Sequence, residues 1–158
     1  EHIIQPTHLG VTVIGDDLSA PAKPAAGTYE HDRLLIDVDI TLYQQTGTSI
    51  KTERRLKAEK SMKGVGHHGH IPDGLMENDQ RRIAIELELS VKGKARLKKI
   101  LSEYDQNVGI RRVVYICGSD AVANAVNRMA EQAHVTRKVK TVELNKFLKK
   151  EVQIGETV

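Results

Sequence analysis

The run Arg82-Ile83-Ala84-Ile85-Glu86-Leu87-Glu88-Leu89-Ser90-Val91 constrains this chain more than any other segment. Ile83, Ile85, Leu87, Leu89 and Val91 alternate with Arg82, Glu86, Glu88 and Ser90, and a period of two marks a strand with two unlike faces. The apolar face must pack into a core. Glu86 and Glu88, two residues apart, leave the strand on the opposite side and therefore share one surface. On pattern alone that surface is the solvated side of an amphipathic strand.

The neighbouring segments surround this strand with helices. Leu34, Leu35, Val38, Thr41 and Leu42 recur at helical spacing between Tyr29 and Gln45, with Thr28 as N-cap and Gly47 past the end. Ser49 to Leu56 reads as a short strand, Lys57 to Gly69 as a basic, glycine-containing loop, and Ile71 to Met76 as a second strand. The segment Met76-Glu77-Asn78-Asp79-Gln80 supplies the turn of a hairpin into the alternating strand. Lys92 to Val108 carries Leu97, Ile100, Leu101, Tyr104 and Val108 on one stripe, which predicts an amphipathic helix with a basic opposite face. Arg111 to Cys117 is a continuous apolar strand. Ser119 then caps a helix that turns Val122, Ala125, Val126, Met129 and Ala133 inward, and Val139 to Val142 forms a last strand. Strand, helix, strand in this order implies a right-handed parallel crossover. The class is α/β, a mixed sheet flanked by helices.

Composition narrows the function classes. At 158 residues one domain is the default, and 39% apolar with 28% charged residues is a folding composition. Aromatic residues are only 3% and Trp is absent, which removes the stacking platforms that single-strand binders use. Net charge is +3 and the pI about 9.0, enough to permit phosphate contact but not to require it. The single Cys117 lies in an apolar strand and excludes an internal disulfide. No apolar run approaches the ~20 residues of a membrane span and no secretory pattern opens the chain. A soluble, cytoplasmic protein with no membrane partner is the expectation. The Pro- and Ala-rich stretch from Ser19 to Gly27 reads as a linker, so residues 1–27 form the end of an upstream part and 28–158 the domain.

Chemistry concentrates around the alternating strand. Asp73 follows Ile71-Pro72 at the start of the preceding strand, and hairpin pairing would bring its carboxylate towards Glu86. Asp73, Glu86 and Glu88 would then supply hard oxygen ligands of the kind that hold Mg²⁺ or Mn²⁺, activate water and neutralise a phosphodiester under attack. The alternative is the solvated strand face already described.

These residues resemble a known group. Pro72-Asp73, twelve intervening residues and Glu86-Leu87-Glu88 before a helix are similar to the PD-(D/E)xK nuclease-like superfamily, which has a restriction-endonuclease-like αβββαβ core. More closely, His70-Ile-Pro-Asp-Gly74, Arg82 to Lys92, Arg96-Leu97, Ile100-Leu101, Tyr104 and Val113 to Ile116 resemble the plasmid replication-relaxation family. His31-Asp32 and Glu53-Arg54 extend the likeness, which covers roughly residues 28 to 130. The resemblance implies a winged-helix part upstream, of which Pro6 to Gly10 would be the closing segment. It further implies DNA as partner, replication or conjugation proteins as associates, and a role in plasmid replication, DNA relaxation or mobilisation of a mobile element. A homodimer is left open. The superfamily's third motif position usually holds Lys. Here it holds Glu88, and the resemblance leaves three readings: Glu88 itself serves, as in some active members, the role passes to Lys92 or Lys94 on the next helix, or the domain is a non-catalytic module on the same fold.

On this reading Asp73, Glu86, Glu88 and Lys92 are the catalytic candidates, the three acids are the metal ligands, and Glu53 and His70 are auxiliary. Lys92, Lys94, Arg96, Lys98 and Lys99 would hold phosphates, unless they are an ordinary solvated helix face. Arg54 and Arg55, with Lys51, Lys57, Lys60 and Lys63, form a second basic tract. His67, His68 and His70 make a His-rich loop that reads either as solvated or as a zinc or proton donor site. His31 reads as a partnered core residue, and Tyr104 and Tyr115 lie on core faces.

Overall fold

A computed structural model describes residues 27–62, 69–78 and 81–154. The element order is α1 (Tyr29–Thr46), β1 (Lys51–Thr52), α2 (Glu53–Met62), β2 (Gly74–Asn78), β3 (Arg81–Glu88), α3 (Lys94–Gln106), β4 (Arg112–Cys117), α4 (Asp120–Gln132), β5 (Val139–Glu143) and α5 (Leu144–Leu148). The strands form one sheet in the order β1-β2-β3-β4-β5. β1 with β2 and β2 with β3 pair antiparallel, whereas β3 with β4 and β4 with β5 pair parallel. The protein is therefore a mixed α/β fold with a five-stranded mixed sheet flanked by helices. The two parallel pairs are joined through α3 and α4, as a crossover connection requires.

Two helix ends have a clear local cause. Gly47 stops α1 in the left-handed region at φ 73°, its N–H donating to Tyr43 O. The Ser119 hydroxyl accepts from Val122 N at the start of α4. Thr28 stands at the N-cap of α1 but makes no side-chain capping bond.

Both faces of the sheet are covered. On one, Ile83, Ile85 and Leu87 of β3 and Val114 and Ile116 of β4 pack with Val38 and Leu42 of α1 and Phe147 of α5. On the other, Ala84, Val113, Tyr115 and Cys117 pack with Leu97, Ile100, Leu101 and Tyr104 of α3 and Val122 and Val126 of α4. Glu86 and Glu88 belong to this second face and are 1% and 5% exposed. They are not the solvated side of an amphipathic strand. The alternation is real, but β3 is interior in a three-layer fold and its polar side is roofed by α3 and α4.

Three further expectations are corrected. Ser49 to Leu56 does not form one strand: only Lys51–Thr52 pairs, and Glu53–Met62 is helical, so part of the expected basic loop is helix as well. The segment from Glu53 lacks apolar alternation and instead supplies four-residue ion pairs, Glu53 with Lys57 at 2.6 Å and Arg55 with Glu59 at 3.5 Å, which favour a helix. β2 begins at Gly74 rather than Ile71. Val108 is not on the buried stripe, since α3 ends at Gln106 and Val108 is 97% exposed. Residues 1–26, the loop residues His67 and His68, Lys63, and Asp79-Gln80 of the turn lie outside the described residues, as does the Lys60 side chain. No helix among the described residues is long and apolar enough to cross a membrane.

Candidate functional site

Backbone register assembles the site at the C-terminal end of β3. Gly74 pairs with Ile85, so β2 begins one residue after Asp73, which lies opposite Glu86. Asp73 Oδ2 accepts from Leu87 N at 2.9 Å. A side chain thus takes over the backbone partnership where β2 has not yet begun, and this fixes the carboxylate beside β3. The same residue's carbonyl accepts from Glu53 N at 3.0 Å, tying the first turn of α2 to the site. Gly74 permits the close packing, because a Cβ there would lie 2.5 Å from Ile50 Cδ1.

Each of the three acids has its own basic partner. His31 of α1 reaches Asp73, Nε2 to Oδ2 at 3.3 Å. His70 lies with Nε2 2.7 Å from Glu86 Oε1, and the Tyr104 hydroxyl donates to the same oxygen. Lys92 Nζ lies 2.6 Å from Glu88 Oε2, although that oxygen has no bond of hydrogen-bonding geometry. The close N···O approach makes this a Coulombic pair first. His70 and Tyr104 also meet edge to face, with ring centroids 5.5 Å apart.

The electrostatics follow from burial and these partners. Burial pushes Glu86 up, against the opposing hydrogen bond and charge of His70. Asp73 is also raised by burial, but the His31 hydrogen bond, the Leu87 amide and the charges of His31 and Lys92 outweigh it, leaving the carboxyl below its usual range. His31 is correspondingly raised to about 9, chiefly by its bond to Asp73. Burial, then the charge of Glu86, drives Tyr104 and Tyr115 far above the ordinary phenol range, so both stay neutral. Burial pushes the Cys117 thiol up to about 12, which makes it inert at neutral pH. Tyr115 pairs with Glu86 across β3 and β4, and its buried hydroxyl has no hydrogen-bond partner among the described residues.

The structure thus gathers Asp73, Glu86, Glu88 and Lys92 in one region and adds His70. Lys92 is not on a helix; it sits in the irregular segment two residues before α3. The Glu53 side chain is paired with Lys57 at 2.6 Å. It lines, with Arg54 and the paired His31 and Asp73, a cleft of about 510 Å³ between α1 and the start of α2. Arg54 and Arg55 are carried on α2, not on a strand, and Arg55 is paired with Glu59. On α3, Lys94, Arg96, Lys98 and Lys99 are exposed, and Arg96 and Lys99 line a shallow groove into which His70 opens. His31 and Tyr104 are the members that the site gains beyond its sequence candidates. Their helical spacing assigns both to core faces, and pairing with an acid distant in sequence carries no periodic signal.

The carboxylate oxygens suit a hard divalent cation in kind. Among the described residues no group of three or more His, Cys, Asp or Glu side chains is placed to hold a metal ion. Asp73, Glu86 and Glu88 each direct one oxygen to a base instead. Comparison with protein-family models, curated proteins and solved structures finds no match.

Proposed function

We propose that this is a DNA-processing domain of the nuclease-like type, acting in replication, relaxation or mobilisation of a plasmid or similar element. One observation carries the reading: two carboxylates, Glu86 and Glu88, are buried at the end of a central strand and joined there by Asp73 and Lys92. Burying ionised groups is expensive, and a well-packed apolar replacement is often neutral or stabilising. Such a cluster is therefore a functional-site candidate on physical grounds. The helix, three strands, helix, strand succession of α1, β1 to β3, α3 and β4 agrees in order with a restriction-endonuclease-like αβββαβ core, with α2 as an extra helix after β1. This supports the PD-(D/E)xK assignment proposed here. The exposed cations of α3 would meet phosphates.

A second reading has its own observation. All three acids are compensated within the protein and are not grouped for a metal, as a non-catalytic DNA- or protein-binding module on the same fold would allow. The two are separated by supercoiled-plasmid nicking in Mg²⁺ or Mn²⁺, with calorimetric metal titration, on the chain and its Glu86→Gln variant. Metal-dependent nicking that the variant loses establishes the nuclease reading. Salt-sensitive DNA binding with neither nicking nor metal uptake establishes a DNA-binding module, and absence of DNA binding sinks the nuclease reading and leaves only a protein-binding module.

A further inference from the structure

We propose that the groove between α3 and α4 is a nucleotide subsite, which takes one unpaired base on an apolar floor and its phosphate on Lys94 and Arg128. The inference rests on the DNA-processing reading above and specifies how the strand leaves the buried cluster. The groove encloses about 260 Å³, below the ~300–1,000 Å³ of sites that engulf drug-sized ligands, which suits a single base. Leu97, Ala125 and Met129 supply its apolar lining, and Lys92, Lys94 and Arg128 its charge.

Three observations favour a nucleotide. The lining holds three cations and no acid, in a chain whose 24 basic and 21 acidic residues are nearly balanced. Arg128 Nε donates to Asn124 O at 3.2 Å, which anchors the guanidinium, while neither Arg128 nor Lys94 has an ion pair among the described residues. The first turn of α3 carries no acid and no side-chain cap, so the positive end of that helix adds to the same field. Lys92 belongs both to the groove and to the Glu88 pair, so the groove adjoins the buried cluster. The apolar lining offers nothing to a bare phosphate. The Met129 thioether, by contrast, packs favourably on an aromatic ring, here a base.

Methyl-labelled methionine NMR on the full chain, without metal, tests this with dAMP, inorganic phosphate, deoxyribose 5-phosphate and a short acidic peptide as separate probes. The Met129 methyl resonance should move with dAMP but not with the other three. Arg128→Gln should weaken the dAMP response roughly tenfold, as expected for losing a charge-assisted contact. Ala125→Phe, which fills the groove, should abolish it, with thermal melts of both variants confirming the fold. No response to dAMP, an equal response to inorganic phosphate or deoxyribose 5-phosphate, or a stronger one to the peptide overturns the subsite. A dAMP response in a chain that neither nicks DNA nor takes up metal sinks the nuclease reading and leaves the groove standing. Metal-dependent nicking without a dAMP response does the reverse.

Discussion

Replacing His31 by Gln should destabilise the protein at pH 6 and make almost no difference at pH 10. His31 lies 3.3 Å from Asp73, and their side chains are 30% and 22% exposed. The imidazole is raised from 6.5 to about 9, so the folded state binds its proton more tightly than the unfolded chain does. Its contribution to stability is therefore fully present below pH 6.5 and is lost as pH rises through about 9. At about 1.4 kcal/mol per pH unit the shift sets a ceiling of roughly 3 kcal/mol. Solvent screening at a partly exposed pair brings the expected value to about 1–2 kcal/mol. That corresponds to a melting-temperature gap of roughly 3–6 °C at pH 6 for a domain of this size. Asp73 acts at the other limit: its lowered carboxyl contributes above its unfolded value of 3.8 and loses that contribution as pH falls below it. Thermal melts of the native chain and the variant, taken from pH 5 to 10, give the gap directly, and groups not coupled to His31 cancel. A gap that stays constant across this range would show that His31 acts by packing alone and would refute the charge argument.

Two further substitutions probe the same network. Lys92→Met should cost about 3–5 kcal/mol in a denaturant melt, because it leaves Glu88, 5% exposed, without its cation. Adding Glu88→Gln to the same chain should recover most of the loss, and failure to do so would count against an electrostatic origin. Tyr104→Phe should lower stability by about 1–3 kcal/mol, since it removes a donor from buried Glu86 and raises that carboxyl further. Carbon-detected NMR titration of Glu86 reads the direction, and a downward shift would contradict the hydrogen-bond assignment.

The α/β class and most element positions were legible in the sequence because they rest on local periodicity, and the expected hairpin pairing does place Asp73 beside Glu86. Alternation from Ile83 to Leu89 identifies β3, and the 3.6-residue stripe of Leu97, Ile100, Leu101 and Tyr104 identifies α3. The helix Glu53–Met62 was missed, since its order comes from charge pairs rather than from a pattern of burial. Periodicity also shows that Glu86 and Glu88 share a face but says nothing of what covers that face. Tertiary packing alone decided that α3 and α4 roof it, turning two apparently solvated acids into buried ones. The same packing brings His31 of α1 to Asp73 across 42 residues and His70 to Glu86 across 16. Local sequence determines which side chains leave a strand together. Whether water or another helix meets them depends on contacts between residues far apart in the chain, and here those contacts create the charge network.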